Sequence, residues 1–401
     1  MESQKKLPPV WMIGMTNATY GMFGGFAAIC LPQTLAAQHL AMDKVVLITA
    51  LVFTAYFWAF FLGPLLDVWF SRRTWALATA IASGAALTVA LLFPGKLWLL
   101  IAASTAGVIC SYLSSSALLG WLSTVVPGSE SNRLSAWLNV WNIGAAGLFV
   151  ILQAEATLRF PALLAAPLLG LALVAPTLIY PLLPAPGPDR LLAQESFAAF
   201  HRAILQLVRR REVVFGLALF AAPTGSFALS NIFGGVGDQY NASARWVGWV
   251  GGLGVVLAGS CGSLVVPWLA KGRPLRLVYL GIGVVGGLFT LSLTLLPHQP
   301  WVFAVALMGE GAFQAMAIAC AFAIQFETLG ENNPLAATGF AFMGAAVNLS
   351  IAYMVALDGW AAGIAGLRGS ILTDGAISLA ACLAMGLLLV VVGQGTGNSR
   401  Q

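Results

Sequence analysis

Twelve stretches of this 401-residue chain are apolar enough and long enough to cross a membrane. A helical span needs about 20 mostly apolar residues. The stretches fall at about 9–36, 43–69, 74–94, 97–125, 134–156, 161–184, 213–236, 244–270, 275–296, 299–327, 334–357 and 370–393. Hydrocarbon offers no partner to a backbone N–H or C=O, so such segments must satisfy their hydrogen bonds internally, as helices do. Composition points the same way. Hydrophobic residues make up 59% of the chain and charged residues 8%, against about 25% charged in an average soluble domain. The expected fold class is an all-α membrane protein with twelve transmembrane helices.

The five cysteines, Cys30, Cys110, Cys261, Cys320 and Cys382, all sit inside apolar runs and far apart. Their odd number and spacing fit neither a disulfide framework nor a zinc site, so no metal or other cofactor is expected. Lys5 and Lys6 precede an apolar stretch that continues to about Ala36. That is too long for a signal-peptide core, and the stretch is expected to stay as the first span.

Most connections are short; the exception is about 185–212. It opens on the Pro-rich PAPGPDR and continues with Phe197, Phe200, Ile204 and Leu207 at helical spacing. This predicts an amphipathic helix on the membrane surface. With the N-terminus inside, the cytoplasmic side carries Lys5, Lys6, Arg72, Arg73, Arg133, Arg190, Arg202, Arg209, Arg210, Arg211, Lys271, Arg273, Arg276 and Arg400. The outside carries Lys44, Lys96, Arg159, Arg245 and Arg368, so the split is 14 against 5. The positive-inside rule then puts both termini in the cytoplasm of a multi-pass protein in the plasma membrane, the inner membrane if the cell is Gram-negative. The same split accounts for a pI near 9.1 without a nucleic-acid partner.

The long connection follows six spans and divides the chain into six plus six. The expected organisation is an N-terminal bundle over 1–184, a cytoplasmic linker over 185–212 and a C-terminal bundle over 213–401. A shift of 203 residues lays Pro64 on Pro267 and Arg73 on Arg276, while Asp67 falls on Ala270. At the connection between spans 2 and 3 stands Gly63-Pro64-Leu65-Leu66-Asp67-Val68-Trp69-Phe70-Ser71-Arg72-Arg73.

This stretch resembles the loop signature of major facilitator transporters: a Gly, three residues, an Asp, then a basic run. Gly63, Asp67, Arg72 and Arg73 match; Val68 stands where a basic residue is usual, and Phe70 where a second glycine is. The resemblance implies the major facilitator fold, two six-helix bundles that rock about a central site. It also implies that these four residues form a conformational latch on the cytoplasmic side. The wording FWAFFLGPLLDVWFSRRTWA, with SSALLGWLSTVVPGSESNRLSAWLNVWNIGAAG at 115–147, is similar to the subgroup of AmpG-type muropeptide permeases, acetyl-CoA transporters and siderophore importers. Where AmpG-type permeases carry aspartates in span 4, this chain has Ser114, Ser115, Ser116 and Leu119.

Ionisable groups at membrane depth are functional candidates by default. Glu310, in the LMGEGAFQAMA of span 10, has no basic residue nearby at its depth, and Gln314 lies one turn further on the same face. A carboxyl that is costly to ionise suits a proton carrier, and Glu310 is the expected proton-coupling group. Glu155, Asp238, Glu327 and Asp374 fall near span ends and are expected at the interface. Candidate substrate contacts are Asn17, Tyr20, Ser115, Asn139, Asn142, Asn231, Glu310, Gln314 and Asn348. Interhelical hydrogen bonding would explain the same asparagines. Gly281, Gly283 and Gly286 spell G-x-G-x-x-G but inside a span, without the βαβ setting that a dinucleotide site requires.

The expected function is secondary-active transport of a small amphiphilic solute by alternating access, coupled to protons, in siderophore or muropeptide uptake. A multidrug or metabolite exporter of the same superfamily is the alternative. A membrane-embedded enzyme is the alternative of another class; its candidate histidines, His39, His201 and His298, do not share one depth. The expected partners are the solute, protons and the bilayer, and the expected state is a monomer.

Overall fold

The computed structural model describes residues 7–185, 197–233, 235–330 and 333–397. Lys5, Lys6, Arg190 and Arg400 lie outside the described residues, as does most of PAPGPDR. Among the described residues every regular element is a helix. Among the described residues nine helices are long and apolar enough to cross a membrane, one of which, Ala336–Val391, is two spans joined end to end. Spans 1 and 7 complete the set of twelve as interrupted helices. The fold is all-α, the twelve-helix arrangement expected from the hydropathy.

Residues 1–214 with 325–345 form one compact unit, and residues 215–324 with 346–401 form the other. In the first unit, Phe23, Phe26, Leu31, Leu87, Phe149 and Leu173 build the apolar core. Spans 1 and 5 approach closely there. A Cβ on Gly21 would lie 2.1 Å from the Asn142 carbonyl oxygen, and one on Gly25 2.5 Å from that of Ala146. These glycines, four residues apart, are the small-xxx-small device that lets membrane helices touch backbone to backbone. In the second unit, Phe233, Tyr240, Phe303, Leu307 and Ile371 pack together.

Local chemistry sets where helices start and stop. Ser71 caps span 3, its hydroxyl accepting from the Thr74 N–H at 3.2 Å, the usual task of a serine at that position. Span 2 tightens into a 3₁₀ turn over Ala59–Asp67, which contains Pro64; proline cannot supply the N–H that a regular helix needs. Span 7 stops at Ala221 and resumes only at Ser230. Between spans 11 and 12 the helix breaks at Ala365 and Gly366, the latter at φ 61° and ψ −160°, a conformation open essentially to glycine. The break lies beyond residue 357, where the hydropathy ends span 11. Asp358 is therefore inside span 11, and Asp374 is two turns into span 12.

Phe197–Arg209 is helical, as the linker pattern predicts. Within it Leu207 is buried and Leu205 exposed.

Candidate functional site

Two polar clusters stand out, one in each unit. The first surrounds Asp67, at the end of span 2. Both Asp67 and Arg72 are buried, 6% and 2% exposed. The Arg72 Nε donates to Asp67 Oδ1 at 2.8 Å. The other Arg72 nitrogens donate to main-chain oxygens: Gly120 at 3.2 Å, Asn333 at 3.0 Å and Pro334 at 2.9 Å. Asp67 Oδ2 accepts from Thr338 twice, from its N–H at 2.8 Å and its hydroxyl at 2.7 Å. Ala337 N–H adds a longer bond to Oδ1, at 3.4 Å. The carboxylate thus sits on the first N–H groups of span 11, where a helix has unsatisfied donors and a partial positive charge.

Of the four residues in the loop signature, three meet here. Gly63 lets Ala341 approach, since a Cβ at that position would be 2.8 Å from the alanine methyl. Arg73 turns elsewhere and lies over the Trp121 ring at 5.6 Å. Thr338 and the carbonyls of Asn333 and Pro334 are partners that sequence reasoning missed. They lie more than 260 residues away along the chain, and no local pattern marks them.

The same unit holds five of the proposed solute contacts. Ser115 donates to Asn17 Oδ1 at 2.8 Å, tying span 4 to span 1, while Asn17 Nδ2 is buried without a partner among the described residues. Tyr20 packs edge-on against Tyr56 at 5.6 Å and near Tyr112 at 6.4 Å. The Tyr112 hydroxyl donates to the Ala341 carbonyl. Asn139 is fully buried and Asn142 half-buried.

The second cluster lies in the other unit. Glu310 is fully buried in span 10. Its Oε1 accepts from the Thr290 hydroxyl of span 9 at 2.5 Å, and its Oε2 has no partner among the described residues. One turn on, Gln314 donates to the main-chain oxygens of Ser226 at 3.0 Å and Phe227 at 3.3 Å. These carbonyls belong to the interrupted stretch of span 7, where Phe227 has φ 43°. Asp374 holds the far end of that stretch, its Oδ2 accepting from the Leu229 N–H at 3.1 Å. Unwound backbone is tolerated at membrane depth only when protein groups satisfy it; Gln314 and Asp374 do so here. Asn348 is half-buried, and Asn231 is exposed, bonding locally to the Ala228 carbonyl at 3.3 Å.

Sequence reasoning expected Asp374 at the interface, yet it is 2% exposed. Asp358 is fully buried too, although hydropathy places it in a connection. The break at Ala365 and Gly366 ends span 11 later than residue 357 and starts span 12 earlier than residue 370, which takes both aspartates deeper. Glu155, Asp238 and Glu327 are exposed, as their position near span ends predicts.

Twelve spans, several with buried carboxyls and two of them interrupted, define a polytopic membrane protein. The sequence pattern of the Major Facilitator Superfamily matches residues 12–339. The chain belongs to the major facilitator superfamily. Among solved structures, it resembles the proton:xylose symporter XylE bound to 6-bromo-6-deoxy-D-glucose, with TM-score 0.70 and 14% identity, over 94% of this chain and 95% of that one. It also resembles the human organic anion transporter MFSD10 (TETRAN), with TM-score 0.68 and 15% identity, over 94% and 100%. The E. coli fucose:proton symporter FucP matches with TM-score 0.67 and 16% identity, over 95% and 98%. At such identities the likeness is one of fold. No curated protein matches the chain in sequence.

Proposed function

We propose that this chain is a proton-coupled secondary transporter that moves a small amphiphilic solute by alternating access, with Glu310 as the coupling group. The observation that carries the reading is the environment of Glu310. It is fully buried, one oxygen rests on a neutral hydroxyl and the other has no partner among the described residues. Among the described residues no Lys, Arg or His forms an ion pair with it. An unpaired charge is costly at that depth, so the group can cross between access states with a proton and give it up where water reaches it.

In this reading the halves are 1–184 and 213–401, joined by 185–212, with both termini cytoplasmic and the chain acting as a monomer. Asn17, Tyr20, Ser115, Asn139, Asn142, Asn231, Gln314 and Asn348 contribute solute contacts. Gly63, Asp67, Arg72 and Arg73 form the cytoplasmic latch. What supports the latch is the way Asp67 and Arg72 together hold residues 333–338. Uptake of a siderophore or a muropeptide fragment is the solute assignment, and it rests on the subgroup resemblance of residues 57–76 and 115–147.

The test is transport in reconstituted vesicles, with solutes first chosen by thermal shift from siderophores and muropeptide fragments. Glu310→Gln keeps size and removes titration. It should cut uptake driven by a proton gradient at least tenfold while solute counterflow, which needs no net proton movement, continues. Equal gradient-driven uptake by the variant would overturn the role of Glu310.

A further inference from the structure

Asp358 and Asp374 form a buried acid pair that neither the loop signature nor Glu310 accounts for. Asp358 stands seven residues before the break at Ala365, and Asp374 eight residues after Gly366. At 1.5 Å per residue both lie about 10–12 Å in from that end of their spans. Asp358 is fully buried, and among the described residues no N–H or O–H donor meets either of its carboxyl oxygens. Its carboxyl instead faces the Asp374 carboxyl.

Asp374 is supplied quite differently. Its Oδ2 accepts from the Leu229 N–H and its Oδ1 from the Ser378 hydroxyl, both at 3.1 Å. Those donors suit a carboxylate. Asp358 has no such donors, and two carboxylates cannot share a contact in hydrocarbon without something positive between them. Among the described residues the titratable group that faces the pair is Glu310, from span 10, and it too is an acid. Span 9 offers Thr290, span 12 offers Ser378, and span 7 offers main-chain N–H groups. Among the described residues none of the three carboxyls has a basic partner. No three acidic or other ligating side chains in the described residues are placed to hold a metal ion.

We infer that Asp358 and Asp374 form a second proton-binding site, in which Asp358 carries one proton and donates it in a hydrogen bond to the Asp374 carboxylate. The geometry fixes which residue holds it. A proton on Asp374 would take one oxygen from Leu229 or Ser378, while a proton on Asp358 costs no existing bond. The Ser370 hydroxyl donates to the Asp358 main-chain oxygen at 2.8 Å, which locks the two spans in register. Loss of the proton would leave two ionised carboxyls in contact, one of them the anchor of interrupted span 7. The site therefore joins proton occupancy to the backbone of span 7. This inference does not depend on Glu310 being the coupling group.

Infrared difference spectra of the full-length protein in lipid nanodiscs, recorded across a pH step without solute, test it. Protonated carboxyl groups absorb apart from carboxylates. Wild-type protein grown with carboxyl-¹³C aspartate should show a protonated-carboxyl band that shifts on labelling, and this measurement needs no substitution. The band should persist in Glu310→Gln and vanish in Asp358→Asn, whose amide keeps a donor toward Asp374. Absence of a label-shifted band in wild-type protein would overturn the site. So would survival of that band in Asp358→Asn, or its displacement by sodium at constant pH. A failure of Glu310→Gln to alter transport would bear on the coupling role alone.

Discussion

Asp67 and Arg72 show how one buried charge depends on another. Removing either partner of such a pair strands the other, a change that costs about 3–5 kcal/mol. Asp67→Ala also removes the acceptor for two Thr338 donors. It should therefore lower the denaturation midpoint markedly in detergent. Arg73→Ala removes a single ring contact with Trp121, worth about 0.5–1 kcal/mol, and should shift the midpoint little. Equal losses from the two would contradict the assignment. The sequence alone marks Asp67 as costly, but it does not separate two adjacent arginines. The helix start does that. Ser71 is the cap, so Arg72 is the first helical residue and turns inward onto Asp67. Glu310 was legible because its charge interrupts a long apolar run. Asp358 was not, because a hydropathy window closes just before it and an aspartate beside an apparent loop looks ordinary.

Individual spans were legible; their interruptions were not. Leu357-Asp358-Gly359-Trp360-Ala361-Ala362-Gly363-Ile364 has two glycines and a charge, which suggests a connection. It contains no proline, and its small residues allow helical hydrogen bonding to continue to the break at Gly366. Gly366→Ala would force a side chain into a backbone region that only glycine adopts readily, at a cost of about 1–3 kcal/mol. It should lower thermal stability and also weaken the aspartate infrared band, because the break sets Asp358 against Asp374. Lower stability with an unchanged band would detach the break from the acid pair. The glycines of span 9 provide a second check on packing. A Cβ on Gly283 would meet the Thr224 carbonyl oxygen at 2.0 Å, while one on Gly281 has nothing within 4 Å. Gly283→Ala should therefore destabilise the protein, and Gly281→Ala should leave it unchanged or slightly more stable, because alanine favours helix. The G-x-G-x-x-G spacing gives no hint of this difference. It depends on which face of the helix meets the interrupted span 7.

For the molecule as a whole, the twelve-span fold follows from hydropathy because the bilayer leaves the backbone so few choices. The compact units are less legible. Residues 325–345 group with the first unit through contacts such as Asp67 to Thr338, although chain order places them after the tenth span begins. Long-range hydrogen bonds of this kind leave no periodic trace. The orientation across the membrane rests on charge alone, 14 basic residues against 5, and it can be tested directly. Gly95 lies in the connection between spans 3 and 4, with nothing within 4 Å of a Cβ placed there. Arg133 lies at the start of span 5, its side chain 69% exposed and only loosely paired with Glu130 at 3.4 Å. Either position should accept a cysteine without disturbing the fold, since exposed ion pairs contribute about 0–1 kcal/mol. With both termini cytoplasmic, Gly95→Cys should react with a membrane-impermeant maleimide in intact cells. Arg133→Cys should react only after permeabilisation. Labelling is read above the level of the parent protein, whose Cys261 is exposed along span 8. The reverse pattern would invert the topology and move Asp67 and Arg72 to the outer face, where a cytoplasmic latch could not operate.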